Sequence, residues 1–320
     1  MLNRLIIIAL LVVLAGSAVA QGGYPNRPIR LVVPYPPGGF TDILARTIGQ
    51  KLTESWAQPV VVENRGGGGS TIGTDIVAKA EPDGYTILLV APDLAINASL
   101  YVKLPYDTAK DFAPVSLAAW GPMVLVVHPS LPVHSVEELI TLAKSKPNQI
   151  NYASGGNGTG GHLAMELFKT TAGIKMEHIP YKGIGPAAND LVGGHASVMF
   201  LQMAVARPHI LAGKLRALAV ASGQRSQVMP DLPTVAEAGL PGFDVTPWFG
   251  VVAPAKTPGE IVTKLSTEIG RIMRLPEVNE RLSRQGAEPA TNTPEQFNAF
   301  IKSEIVRWAN VVKESGARVD

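Results

Sequence analysis

The chain has 320 residues, with 28 Lys and Arg against 26 Asp and Glu and no cysteine. That balance gives no basic footprint for nucleic acid, and the missing cysteine excludes a disulfide scaffold and thiol catalysis. Aromatic residues make up 6%, too few for a cage of rings around a sugar or cation.

Residues 1–20, MLNRLIIIALLVVLAGSAVA, set Arg4 before an apolar run over 5–15 and end on small residues. This order predicts an export signal cut before Gln21, because a spanning helix needs about 20 apolar residues and the run is shorter. Removing Arg4 leaves 27 basic residues against 26 acidic ones. The mature chain, at roughly 300 residues, exceeds the usual size of one core and predicts two domains outside the cytoplasm.

Past the signal, short β-branched runs alternate with helical periodicity. Strands are expected at 29–33, 59–64, 85–90, 123–127, 150–154, 175–181, 196–200, 215–221 and 248–254. The alternation predicts an α/β fold with mostly parallel sheets flanked by helices. Leu44, Ile48, Leu52 and Trp56 recur every four residues, so a helix there packs one face on a sheet. Capping boxes are expected at Ser135 with Glu138, Thr257 with Glu260, and Thr293 with Gln296, the last two with proline at the first helical position. The last 60 or so residues read as two or three helices with no strand between them. Gly or Pro beside apolar strands at 118–129 and 244–254 predicts two crossings between lobes. Domain 1 is then 21–120 plus 250–320, with domain 2, 121–249, inserted.

Four loops share one construction, a strand running through glycines and hydroxyls into a helix: LVVPYPPGGFTD (31–42), NRGGGGSTIGT (64–74), SGGNGTGGH (154–162) and YKGIGPAAND (181–190). Ligands bind beyond the carboxyl ends of strands in open α/β sheets, where helix starts present unpaired N–H groups and favour an anion. Arg65 and Lys182 are the only Arg and Lys in these loops, so a carboxylate held by amides and hydroxyls fits better than a polyphosphate. Any one loop is equally well an ordinary strand-to-helix turn; four in one chain favour a shared cleft. The G-x-G-x-x-G within 156–161 has no acidic residue closing the next strand, no Walker lysine follows a glycine cluster, and no G-x-S-x-G is present. The six histidines form no H-E-x-x-H pair, so neither a metal nor a catalytic centre is expected. An exported α/β enzyme is the rival reading, to be revived by a serine within reach of His162 or His195 in the cleft.

Taken together, YPNRPIRLVVPYPPGGFTDILAR, VVVENRGGGGSTIGTDIVAKAEPDGYT, INYASGGNGTGGHLAMELF, HIPYKGIGPAANDLVGG and WFGVVAPAKTP resemble the Bug family, the TctC-like periplasmic substrate-binding proteins of tripartite tricarboxylate transporters. The resemblance covers nearly the whole mature chain. It implies a two-lobed Venus-flytrap fold that takes a small carboxylate, di- or tricarboxylate, for delivery to membrane permease subunits, with no cofactor, as a periplasmic monomer. A sensor role feeding a two-component kinase is the alternative. Carried over by position, ligand-binding roles fall on Tyr35, Gly38, Gly39, Thr41 and Asp42; on Gly69, Ser70 and Thr71; and on Ser154, Asn157, Gly158, Thr159 and His162, with Tyr181, Lys182 and Asp190 nearby. Phe40 stands where the family usually has a small residue, and His195 and Ser197 replace the common pattern after the 193–194 glycines. Phe40 is therefore expected to narrow or grease the pocket and to favour an aromatic or longer apolar carboxylate.

Overall fold

The computed structural model describes residues 23–315, so the export signal expected at 1–20 lies outside the described residues. The first sheet contains β1 (Ile29–Val33), β2 (Val60–Asn64), β3 (Thr86–Val90), β4 (Phe112–Trp120), β10 (Trp248–Pro254) and the two-residue β11 (Glu288–Pro289), in the order β11-β4-β10-β3-β1-β2. The second contains β5 (Met123–Val127), β6 (Asn151–Ser154), β7 (Glu177–Pro180), β8 (Val198–Gln202) and β9 (Arg216–Val220), in the order β7-β6-β8-β5-β9. The α/β, two-lobed architecture stands, but the sheets are mixed where mostly parallel ones were expected. β1 is parallel to β2 and β3, and β6 to β7 and β8, each through a helical crossover. β10 runs antiparallel to β3 and β4, and β5 antiparallel to β8 and β9. These are the strands that enter a sheet from the other one, so no helical crossover sets their direction.

β4 and β11 carry little strand signal. Pro114 and three alanines dilute the β-branched pattern of β4, yet its partner β10 takes it in through two register shifts. The other edge of β4 is closed by β11 and by Asn292, whose Oδ1 accepts from the Leu117 N–H at 2.8 Å. The C-terminal stretch thus holds three helices with one short strand among them.

Helices cover both sheets: α1 (Phe40–Trp56), α2 (Thr71–Ala78), α3 (Asp93–Leu100), α4 (Val136–Ser145), α5 (Gly160–Ala172), α6 (Ile184–Val192), α7 (Met203–Leu211), α8 (Gly259–Met273), α9 (Pro276–Ser283) and α10 (Pro294–Ser315). On α1 the apolar stripe of Leu44, Ile48 and Leu52 is fully buried, which seats the helix on the sheet and fixes where its N-terminus points. Ser135 caps α4, accepting from the Glu138 N–H at 3.1 Å, and Thr293 and Gln296 cap α10 reciprocally at 3.3 and 3.0 Å. The box expected at Thr257 does not form. Its hydroxyl donates backwards to the Pro254 carbonyl at 2.7 Å, and α8 starts after an extended Pro258.

The chain crosses between sheets twice, through Gly121-Pro122 and just before β10, and the two crossings touch: the Gly121 N–H donates to the Pro247 carbonyl at 2.9 Å. A single apolar cluster continues from Val32 and Leu88 of the first sheet through Met123 and Tyr152 of the second and Phe168 of α5 to Phe297 and Trp308 of α10. That last helix lies on α3 and β4 and reaches α5. Its Glu304, 4% exposed, accepts through one oxygen from the indole N–H groups of Trp248 (2.8 Å) and Trp308 (2.9 Å), while Arg307 meets the other at 3.2 Å. Trp248 is fully buried and belongs to this core.

Removing the carboxylate strands two buried indole donors. Glu304→Ala should cost about 3 kcal/mol, and Glu304→Gln, which keeps an acceptor, about 1 kcal/mol, measured by urea unfolding.

Candidate functional site

The ends of β1, β3, β6 and β7 face one another across the gap between the sheets. Tyr35, Pro36, Gly39 and Thr41 come from the loop after β1, Ala91, Pro92 and Asp93 from the turn after β3, and Pro247 and Phe249 from the start of β10. The second sheet contributes Met123, Gly155, Thr159, Gly160 and Gly161, the 183–185 turn, and Met199, Phe200 and Gln202. They enclose a cavity with about 40 Å³ for the centres of water-sized molecules. The walls are close because the loops interlock. A Cβ on Gly158 would lie 2.6 Å from Asn97 Oδ1, and one on Gly183 would lie 2.7 Å from the Pro36 ring, so contact across the gap requires glycine at both.

α1, α3, α5 and α6 all begin at this cavity, and none of their N-caps (Gly39, Pro92, Thr159, Gly183) closes the first turn with a side-chain hydrogen bond. Thr159, the one hydroxyl among them, instead donates to the Gly156 carbonyl at 2.8 Å. Four helix starts thus bring uncapped turns, and the positive ends of four helix dipoles, to one place. Among the described residues lining the cavity there is no Lys, Arg or His. A wider groove of about 730 Å³ beside Trp120, Gln224, Ser283 and Arg307 has no helix start in its wall, and nothing in it converges in this way.

Asp93 is the only carboxylic acid among the described residues of the lining. It is 2% exposed, its Oδ1 accepts the Tyr35 hydroxyl, and its Oδ2 makes no hydrogen bond. Burial pushes its carboxyl up to about 6, against the lowering effect of the Ser70 and Tyr35 hydroxyls and of its own backbone N–H. Gln202 Oε1 is likewise buried without a partner.

Of the residues singled out from the sequence, Tyr35, Gly39, Thr41 and Thr159 line the cavity. The others stand around it. Gly38 turns at φ +93° and donates its N–H to Asp42. Burial alone would raise the Asp42 carboxyl, but Arg46, Asn64 and that N–H outweigh it and hold it below the usual range. Gly69 and Ser70 support the Asp93 side: the Gly69 carbonyl accepts from Asn97 Nδ2 at 2.8 Å, and a Cβ on Gly69 would strike the Asn157 carbonyl opposite. Thr71 binds back to the Gly68 carbonyl at 2.8 Å. Tyr181 and Asp190 bond to each other at 2.8 Å, and neither reaches the cavity.

Phe40 lies behind the lining, not in it. It is 1% exposed and packs edge-on against Phe249 with ring centroids 4.7 Å apart, inside the first lobe's core. As the first residue of α1 it points down into the sheet, so it backs the Phe249 wall and does not narrow the pocket itself.

Beneath the 154–162 loop, Tyr152, His178 and His162 stack, with successive ring centroids 4.7 and 4.2 Å apart. His162 Nδ1 accepts from the Gly158 N–H at 3.2 Å, and Ser154 Oγ lies 2.7 Å from His178 Nε2. This serine–histidine pair is not a nucleophile and its base. Ser154 is fully buried and outside the lining, and burial takes the His178 ring down to about 3, too weak to hold a proton. Burial likewise puts His162 at about 4. The stack shapes the loop.

Asp93 escaped sequence reasoning because its turn has no glycine. A Pro-Asp pair between the apolar run of β3 and the helical start of α3 was the available signal.

A sequence profile of the tripartite tricarboxylate transporter family receptors, TctC, matches residues 44–317. Protein BugT of Bordetella pertussis is 42% identical over 323 aligned positions, spanning 100% of this chain and 99% of BugT. Among solved structures, Rpa4515 of R. palustris with adipate superposes with a TM-score of 0.90 at 39% identity, over 92% of this chain and 100% of that one. MatC from Rhodopseudomonas palustris with bound malate gives 0.85 at 34%, over 90% and 100%.

Two outcomes are expected. Phe40→Ser should lower stability by about 3–5 kcal/mol in urea unfolding, as for other large buried rings replaced by small side chains. The two stacked histidines have folded values below the usual 6.5, so the stability they contribute is complete above about pH 6.5 and lost as pH falls through about 4 for His162 and about 3 for His178. His178→Gln should reduce the loss of stability between those limits by about 2–4 kcal/mol, read by urea titration at stepped pH.

Proposed function

The chain belongs to the TctC family of tripartite tricarboxylate transporter receptors, and on that premise we propose that it captures a small carboxylate in the cavity between its sheets and delivers it to membrane permease subunits. It is a solute-binding protein, not an enzyme. The observation that carries the reading is the convergence of four uncapped helix starts on a lining without basic side chains. Such a site supplies N–H donors and positive dipole ends to an anion without the strong ammonium or guanidinium a polyphosphate recruits. The apolar walls of Met123, Met199, Phe200 and Phe249 suit a short hydrocarbon between polar ends. Adipate and malate in the two solved relatives are of that kind.

In this reading 21–120 plus 250–320 and 121–249 are the two lobes, and they move about the Gly121 and Pro247 crossings. Tyr35, Gly39, Thr41 and Thr159 touch the ligand. Gly69, Asn157 and Gly158 meet the opposite lobe as the cleft closes, Gly38 and Asp42 brace the first loop, and Ser154 and His162 hold the third. The 1–20 segment exports the chain to the periplasm, where the closed, loaded form is what the permease recognises. Closure is driven by the ligand's greater affinity for the closed state.

Thermal and urea unfolding with a panel of mono-, di- and tricarboxylates tests this. A carboxylate present at about a hundred times its Kd should add about 2.7 kcal/mol. Stabilisation by a nucleotide with none by any carboxylate would sink the reading.

A further inference from the structure

Asp93 is an awkward group to find in a receptor for anions. A second negative charge beside it, in a cavity with no basic side chain, is opposed by like-charge repulsion that little water screens. Yet Asp93 lies in the cavity wall, 2% exposed, with Oδ1 held by the Tyr35 hydroxyl and Oδ2 left without a partner.

We propose that Asp93 receives one carboxyl group of the ligand through a shared proton, Oδ2–H···O, so that capture of a carboxylate takes up one proton from solution. This rests on the carboxylate reading above and adds what that reading lacks, a way for the acid in the wall to attract an anion. The geometry is suited to it. A protonated Asp93 keeps its acceptor Oδ1 for Tyr35 and turns its one O–H toward the ligand, so both oxygens are satisfied. The incoming charge is cancelled by the proton, and the uncapped helix starts are left to hold the rest.

The titratable groups around Asp93 leave it free to do this. From the loop after β1 it faces Tyr35, from the 101–111 segment Tyr106, and from the end of α3 Tyr101, all phenols that burial keeps neutral. From the α2 side it faces the Ser70 hydroxyl. Across the cavity stand Thr159 and Gln202, neither of which titrates. His162, on α5 behind Thr159, already has Nδ1 on the Gly158 N–H and does not line the cavity. No Lys, Arg or His is among the groups that set its ionisation. With its carboxyl at about 6 in the free protein, Asp93 is mostly ionised at neutral pH. A ligand carboxylate raises it further, so the proton is bound on capture.

Isothermal titration of the full chain with adipate and with malate, at about pH 7.5 in two buffers of different ionisation enthalpy, counts the protons. Uptake of about one proton per ligand is expected, with Kd rising by up to about tenfold per pH unit between the free and bound values of Asp93. In Asp93→Asn an amide N–H replaces the protonated oxygen, so uptake should vanish and Kd become flat with pH. Tyr35→Phe removes a donor that favours the ionised form, so the pH at which affinity falls should move upward; this variant decides the matter if Asp93→Asn does not fold. Binding by the wild type with no proton uptake overturns the proposal, leaving Asp93 an anion that meets a donor on the ligand. So does full uptake by Asp93→Asn, or an unmoved profile in Tyr35→Phe. If neither these two nor any other carboxylate binds the wild type, the carboxylate reading falls and takes this one with it, an outcome distinct from binding without protons.

Discussion

The first turn of a helix carries backbone N–H groups that nothing within the helix can satisfy. In this chain four such turns start beside one cavity and are left uncapped, and much of the surrounding architecture follows from that arrangement. The turns meet because β1, β3, β6 and β7 end on facing sides of the gap between two sheets. Glycine at 158 and 183 lets the opposing loops approach without collision. Away from the cavity, α4 and α10 have the same kind of N–H group occupied by the side-chain oxygens of Ser135 and Thr293, whereas α8 and α9 start without a side-chain cap. What sets the cavity apart is that four such starts, at 39, 92, 159 and 183, come together in one place.

Holding those loops in register requires the two sheets to be tied together, and the tie is largely at the back. The crossing segments are hydrogen-bonded to each other, and α10 spans the joint with Glu304 locked between two indoles. The apolar core runs through the same region without interruption. A buried carboxylate with several donors favours one arrangement of its neighbours, because any displaced register leaves indole N–H groups dry.

Much of this was legible in the sequence. The period-two runs located nine strands, and the glycine-rich turns pointed to the loops after β1, β6 and β7, which line the cavity. What escaped depended on partners distant in sequence. β4 is a strand because β10 and Asn292 receive it, despite Pro114. The direction of β5 and β10 is set by crossing between sheets, which alternation does not encode. The 64–74 loop, read from the sequence as a ligand loop, stands outside the cavity lining, where it braces the Asp93 turn and meets Asn157. Asp93 itself was hidden because a Pro-Asp turn carries no glycine. Family position suggested Phe40 for the pocket, but side-chain direction at the first residue of α1 sends it to the core.

The edge-on pair of Phe40 and Phe249 gives the cavity a double-layered wall. Only the inner ring is seen by a solute; the outer ring sets how far the inner one can retreat. A loss of volume at 40 removes the ring that Phe249 packs against, so the shape of the cavity wall at 249 depends on a residue one layer behind its surface.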